Sequence, residues 1–222
     1  MAKVISFLNQ KGGSTKTTNA ITLSYGLRKR GKKVLLIDTD QQATASKAYA
    51  RALESGFSVD DLPTVISVPR ATVSDEIKSY KDSFEYIVID SPGSLENLNI
   101  PVGIIKASNL AIVPVQPSPY DIEDSAAVVE MIQSRREITD GLPKAAILIS
   151  RTKGNTILGR EIQEALEQFG LPIMDTRIPD SEIFKQTAIA GGSVFDANVK
   201  KNQKAVDSAN QLVDEILNIL AE

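Results

Sequence analysis

The chain of 222 residues contains no cysteine and no histidine. The first absence excludes disulfides and thiolate chemistry, and it fits a reducing cytoplasm. The second removes the commonest general base and metal ligand at neutral pH. Any chemistry must therefore run on carboxylates, lysine, arginine, hydroxyls, backbone dipoles and a bound ion. No apolar run approaches the roughly 18 residues of a membrane span. Positive charge is not in excess either: 25 basic and 28 acidic residues leave a net charge of −3. Nucleic-acid binding would need a local patch. Repeats, low-complexity tracts and linkers are missing, so one domain over residues 1–222 is expected. Met1-Ala2-Lys3 leads straight into a strand pattern, and no signal peptide is expected.

What is present is an alternation of apolar runs and helical patterns. Strands are expected at Lys3–Leu8, Lys33–Asp38, Thr64–Val68, Tyr86–Asp90, Leu110–Val115 and Lys144–Ser150. Their near-continuous apolar character suits parallel strands covered on both faces. Helices are expected at Lys16–Arg30, Gln42–Leu53, Val73–Tyr80, Ile122–Ile138, Ile157–Phe169, Ser181–Ala190 and Gln203–Leu220. Gly31 and Gly170 sit where helix C-terminal caps belong. The fold class that follows is α/β: a single-domain, doubly wound, mostly parallel sheet with helices on both faces. Its ligands should lie at the strand C-terminal ends.

Three of those ends carry chemistry. After the first strand comes Asn9-Gln10-Lys11-Gly12-Gly13-Ser14-Thr15-Lys16-Thr17-Thr18. Strand, glycine-bearing loop, Lys-Thr and helix is the layout of a phosphate-binding P-loop. Backbone N–H groups of Gly12 through Thr18 converge on phosphate, Lys16 adds a mobile charge, and the Thr17 hydroxyl suits Mg²⁺. The second strand ends in Asp38-Thr39-Asp40. The apolar strand Tyr86–Asp90 closes on an aspartate, as a Walker B element does, and Asp90 is expected to hold Mg²⁺ or its water shell beside Thr17.

Lys11-Gly12-Gly13 with Lys16-Thr17-Thr18, then Asp38-Thr39-Asp40 and Asp90-Ser91-Pro92-Gly93, resemble the deviant-Walker-A ATPases of the ParA family. Pro114 through Pro119 and Ala190 through Asp196 look like further segments of that family, and the early P-loop resembles the short plasmid-partition type. The resemblance implies an ATPase that uses ATP and Mg²⁺ and forms an ATP-dependent homodimer. Lys11 would reach the partner's phosphates. Asp40, with Asp38 behind it, would position the attacking water, and Asp38 joins Thr17 and Asp90 as a candidate metal residue. Arg151 falls where the family contacts the base, with Arg177-Ile178-Pro179 also near the nucleotide. A ParB-like centromere-binding partner and a cytoplasmic, nucleoid-associated protein that segregates plasmid DNA are implied as well. The alternatives are a relative that positions a protein cargo, or a MinD-like membrane-associated regulator.

The resemblance also implies non-specific DNA binding, for which Lys200, Lys201 and Lys204, joined by Lys153, Arg160 and Lys185, form the candidate patch. Membrane binding is not expected. The last helix carries Asp207, Asp214, Glu215 and Glu222 opposite its apolar stripe, whereas anionic lipid needs a basic face.

The chain departs from the family pattern at Gln41, commonly proline, and at Thr15, where glycine is expected before the P-loop lysine. A side chain there must go somewhere, and unrelieved overpacking costs about 1–3 kcal/mol. Thr15 reads as a tolerated variant, a natural weakening, or a substitution introduced to impair binding. ATP binding weaker than in a Thr15→Gly protein is the expectation.

Overall fold

The structure, a computed structural model, describes residues 1–93, 98–153, 158–196 and 199–222; the side chains of 158, 159, 188, 199 and 200 lie outside that description. Strands and helices alternate as β1 (Lys3–Phe7), α1 (Lys16–Lys29), β2 (Val34–Asp38), α2 (Thr44–Glu54), β3 (Thr64–Ser67), α3 (Val73–Tyr80), β4 (Tyr86–Asp90) and α4 (Asn99–Ala107). The chain continues through β5 (Leu110–Val115), α5 (Pro119–Glu137), β6 (Lys144–Thr152), α6 (Leu158–Glu167), β7 (Ile173–Pro179), α7 (Glu182–Ala190) and α8 (Val199–Ala221). The seven strands form one sheet in the order β3-β2-β4-β1-β5-β6-β7, and every described pairing is parallel.

Side chains alternate across each strand, and that alternation builds two cores. Ile5, Phe7, Leu36, Val88, Ile112 and Leu148 face α1, α2, α7 and α8. Val4, Leu35, Ile37, Ile89, Val113 and Ile147 face α3, α4, α5 and α6. Burial on both faces is why the strand sequences read as continuous apolar runs. On α8, Val206, Ala209, Val213 and Ile216 are buried against the sheet, so this helix covers its own domain as its charge pattern predicts.

Six expected strands and seven expected helices fall on observed ones, with ends shifted by a few residues; position 157 of one helix lies outside the described residues. The sequence reading missed β7 and α4. Asp175, Thr176 and Arg177 interrupt the apolar pattern of β7, which an edge strand tolerates. Pro101 and Gly103 make α4 look broken, yet Gly103 suits a close approach: a Cβ would lie 3.3 Å from the Ala71 carbonyl oxygen, a tight contact.

β1 sits between β4 and β5, so the chain leaves β1 at the point where the strand order changes direction. There the crossover helices depart to opposite faces and leave a crevice at the strand C-terminal ends.

Candidate nucleotide-binding site

Residues 8–15 span that crevice between β1 and α1. Asn9, only 3% exposed, pins the start of the loop. Its Nδ2 donates to the Pro114 carbonyl at 2.8 Å and to Ser125 Oγ at 3.0 Å, while its Oδ1 accepts from the Lys11 N–H at 3.0 Å. Gly12 and Gly13 are exposed, with nothing within 4 Å of an added Cβ. Gly13 needs its glycine for a φ of 77°.

Lys16 is the first residue of α1 and is 5% exposed. Its Nζ donates to the Lys11 carbonyl at 3.1 Å and to Ser14 Oγ at 3.3 Å. Burial lowers its pKa, while Asp90 and Asp40 pull the other way. A cation held over a loop of backbone donors is a receptor for phosphate.

Asp90 ends β4 beside it. Both carboxylate oxygens are buried and neither makes a well-formed hydrogen bond, although the Thr17 hydroxyl lies close to them. Burial pushes the carboxyl up to about 7, with the Thr17 hydroxyl and the Lys16 ammonium acting in the opposite direction. Such oxygens beside a threonine hydroxyl fit the residues that would hold Mg²⁺. Among the described residues no three acidic groups converge as a ready-made cage. An ion shared between one or two protein groups and phosphate is the usual arrangement for this metal.

Asp38, fully buried, uses its oxygens differently. Oδ1 accepts from the Asp40 N–H at 3.1 Å, and Oδ2 accepts from the N–H and Oγ of Ser46. Burial raises its pKa and those three hydrogen bonds oppose the rise. Asp40 is less enclosed; it accepts from the Gln42 N–H at 2.8 Å and from the Gly93 N–H at 3.4 Å. Thr39 donates to the Asp90 carbonyl at 2.6 Å and ties the ends of β2 and β4 together.

Lys11 lies folded against α5, with its Nζ 3.1 Å from Asp124 and 3.4 Å from Asp121. Asp124 foremost raises its pKa. Neither acid was marked from sequence; Ser118-Pro119 as the N-cap and first residue of α5 was the available signal, since it places Asp121 in the first turn.

A cleft of about 270 Å³ opens beside the loop, lined by Thr15, Thr18, Arg151, Ile178, Pro179 and Phe184 among others. Arg151 and Pro179, far apart in sequence, meet Thr15 and Thr18 here. Thr15 stands in the left-handed region at φ 71°, and Arg151 at φ 57°. For a β-branched residue that conformation is a genuine outlier.

The predicted cationic patch lies elsewhere. Lys201 and Lys204 are exposed on the first turns of α8, and Arg160 is exposed on α6. The Lys200 side chain lies outside the described residues. Lys153 and Lys185 each face an acid, Asp180 at 3.7 Å and Glu182 at 2.6 Å, so neither joins the patch as an unpaired charge. No described helix is long and apolar enough to cross a membrane.

Residues 2–61 match the family described as AAA domain. Over 218 residues the chain is 29% identical to the maintenance of carboxysome distribution protein A of Halothiobacillus neapolitanus, covering 97% of each chain. Over 203 residues it is 28% identical to the chromosome-partitioning ATPase Soj of Thermus thermophilus, covering 79% of this chain and 80% of Soj. The crystal structure of the cell division ATPase MinD from Pyrococcus furiosus shares the fold at a TM-score of 0.76 and 22% identity, covering 99% of this chain and 100% of that one. With a phosphate loop, two strand-end aspartate elements and a parallel sheet in the arrangement its motifs predict, the chain has the fold of the P-loop ATPases and is similar in sequence to ATPases of the ParA type.

Proposed function

We propose that this protein is an ATP-driven positioning ATPase that distributes an intracellular cargo by cycling between monomer and ATP-bound dimer. The observation that carries the reading is the meeting of Lys16 and Thr17, at the start of α1, with the buried Asp90 carboxylate at the end of β4, the strand beside β1. The loop from Gly12 to Thr18 and Lys16 bind the triphosphate. Thr17 and Asp90 would hold Mg²⁺, with Asp38 behind them occupied by Asp40 and Ser46. That ion would neutralise charge shared between the terminal phosphates. Asp40 orients a water, and Arg151 and Pro179 flank the base.

Lys11 is the dimerisation residue. Its ion pairs with Asp121 and Asp124 are partly exposed, so they compete weakly with a buried phosphate. Two copies brought together without nucleotide would set the four lysines at positions 11 and 16 against one another, which makes dimerisation depend on ATP.

A protein cargo is favoured over a plasmid. A relative aligned with nearly all of both chains is named for carboxysome distribution. Chromosomal or plasmid DNA with a ParB-like partner is the second reading, supported by the similarity to Soj. Both readings use DNA as a track. Exposed Lys201 and Lys204 support non-specific DNA binding by a nucleoid-associated cytoplasmic protein.

Sedimentation with and without Mg-ATP, followed by DNA retention across a salt series, tests this. The expected result is a dimer only with Mg-ATP, and DNA binding by that dimer which falls steeply with salt. A monomer under all conditions, or DNA binding indifferent to nucleotide, would refute it.

A further inference from the structure

Thr15 does not simply crowd the phosphate loop. Its Oγ1 accepts a hydrogen bond of 3.0 Å from Nδ2 of Asn19, one turn along α1. The second N–H of that amide donates to Ser150 Oγ at 3.3 Å. Asn19 and Ser150 are both 0% exposed, so their contact is buried, while the Thr15 end of the link is half-buried at the cleft. The next residue, Arg151, turns into the cleft region and donates to Gln116 Oε1 at 3.4 Å. Gln116 in turn donates from Nε2 to the Gly13 carbonyl at 3.0 Å. Gly13, Thr15, Asn19, Ser150, Arg151 and Gln116 thus close a ring joining the phosphate loop to the ends of β5 and β6.

The two non-glycine residues of this ring with positive φ, Thr15 and Arg151, stand at the two ends of the arm through Asn19 and Ser150. A β-branched residue held there needs a compensating contact, and the Asn19 amide supplies one. A glycine could take the same φ and keep the backbone bond from the Asn19 N–H to the carbonyl of residue 15, but it would remove the side-chain link from the Asn19 amide to the loop.

The geometry points to Thr15 as a positioning residue. Its hydroxyl, gripped by Asn19 and through it Ser150, sets the distance between the triphosphate cradle and the base-facing end of β6. The inference rests on the nucleotide-binding reading and gives a task to Thr15, where the motif has glycine, together with Asn19 and Ser150. Asn19 Oδ1, buried without a partner, marks what the link costs: the amide spends both N–H groups on the ring and leaves its oxygen unmet.

The test measures the affinity of the full chain for fluorescent Mg-ATP and, by competition, for inorganic triphosphate, with thermal melts as a check on folding. Thr15→Val keeps the shape and removes the hydroxyl, and it should weaken Mg-ATP binding by about five- to thirtyfold, the value of one hydrogen bond. Thr15→Ser restores the hydroxyl and should bind within about twofold of the parent. Asn19→Ala should match Thr15→Val, and the double variant should be no weaker than either single one. Ser150→Ala leaves the loop sequence intact, so it keeps the test open if a loop variant fails to fold; its loss should be larger for Mg-ATP than for inorganic triphosphate. Thr15→Val binding as the parent does, or Thr15 and Asn19 losses that multiply, would overturn the positioning role. A parent that binds no Mg-ATP would overturn the nucleotide reading itself.

Discussion

The carboxylate of Asp38 accepts two hydrogen bonds from a single residue, Ser46: from its N–H at 2.9 Å and from its hydroxyl at 3.1 Å. Ser46 lies in the first turn of α2, whose N-cap, Ala43, has no side chain able to cap. Asp38 therefore caps α2 from the end of β2, with its charge placed where the helix dipole favours it. Ser46→Ala leaves the N–H bond and removes the hydroxyl. Stability should fall by about 1 kcal/mol, and hydrogen exchange should quicken along α2 alone. Faster exchange spread over the whole chain would mean that Asp38 and Ser46 do not form a local latch.

At its other end α2 is pressed by Gly191. A Cβ there would lie 2.3 Å from the Ala52 nitrogen, and the residue has a φ of 81°. Gly191→Ala should cost about 1–3 kcal/mol from overpacking alone, and the unfavourable φ adds to that. Urea unfolding measures it; a midpoint equal to the parent's would show that the contact relaxes freely.

Asp90 makes stability depend on pH. Its carboxyl titrates at about 7 when folded, against 3.8 for a free aspartate. Between those values the native state holds more protons than the unfolded one, so stability falls as pH rises from about 4 to about 7. Asp90→Asn should flatten that fall and raise the apo protein's stability at pH 8 by on the order of 1–3 kcal/mol. It should also erase stabilisation by Mg²⁺ with nucleotide. Thermal melts at pH 5 and pH 8 decide the matter; an unchanged slope would assign the pH dependence to another group.

Lys11→Ala should leave the apo melting temperature almost unchanged, because its ion pairs are partly exposed. The Mg-ATP dimer should vanish in sedimentation. A dimer fraction equal to the parent's would remove Lys11 from the interface.

Much of the site was legible in the chain because strand-end chemistry is local. A P-loop is contiguous, and an aspartate closing an apolar run announces itself at Asp38 and Asp90. The sequence by itself determined the alternating α/β plan, through apolar runs able to be covered on both faces, and the phosphate loop, through glycines beside Lys16 and Thr17. Only the tertiary structure decided what depends on packing between distant segments. It brought Arg151 and Pro179 to the cleft beside Thr15, folded Lys11 onto Asp121 and Asp124, and spent Asp38 on Ser46. It also turned Thr15 from an apparent intruder into a hydrogen-bonded member of the site. An asparagine one turn into a helix has no sequence signature of that duty. Its role exists because α1 and β6 meet with Asn19 and Ser150 fully buried between them, where an amide must find partners.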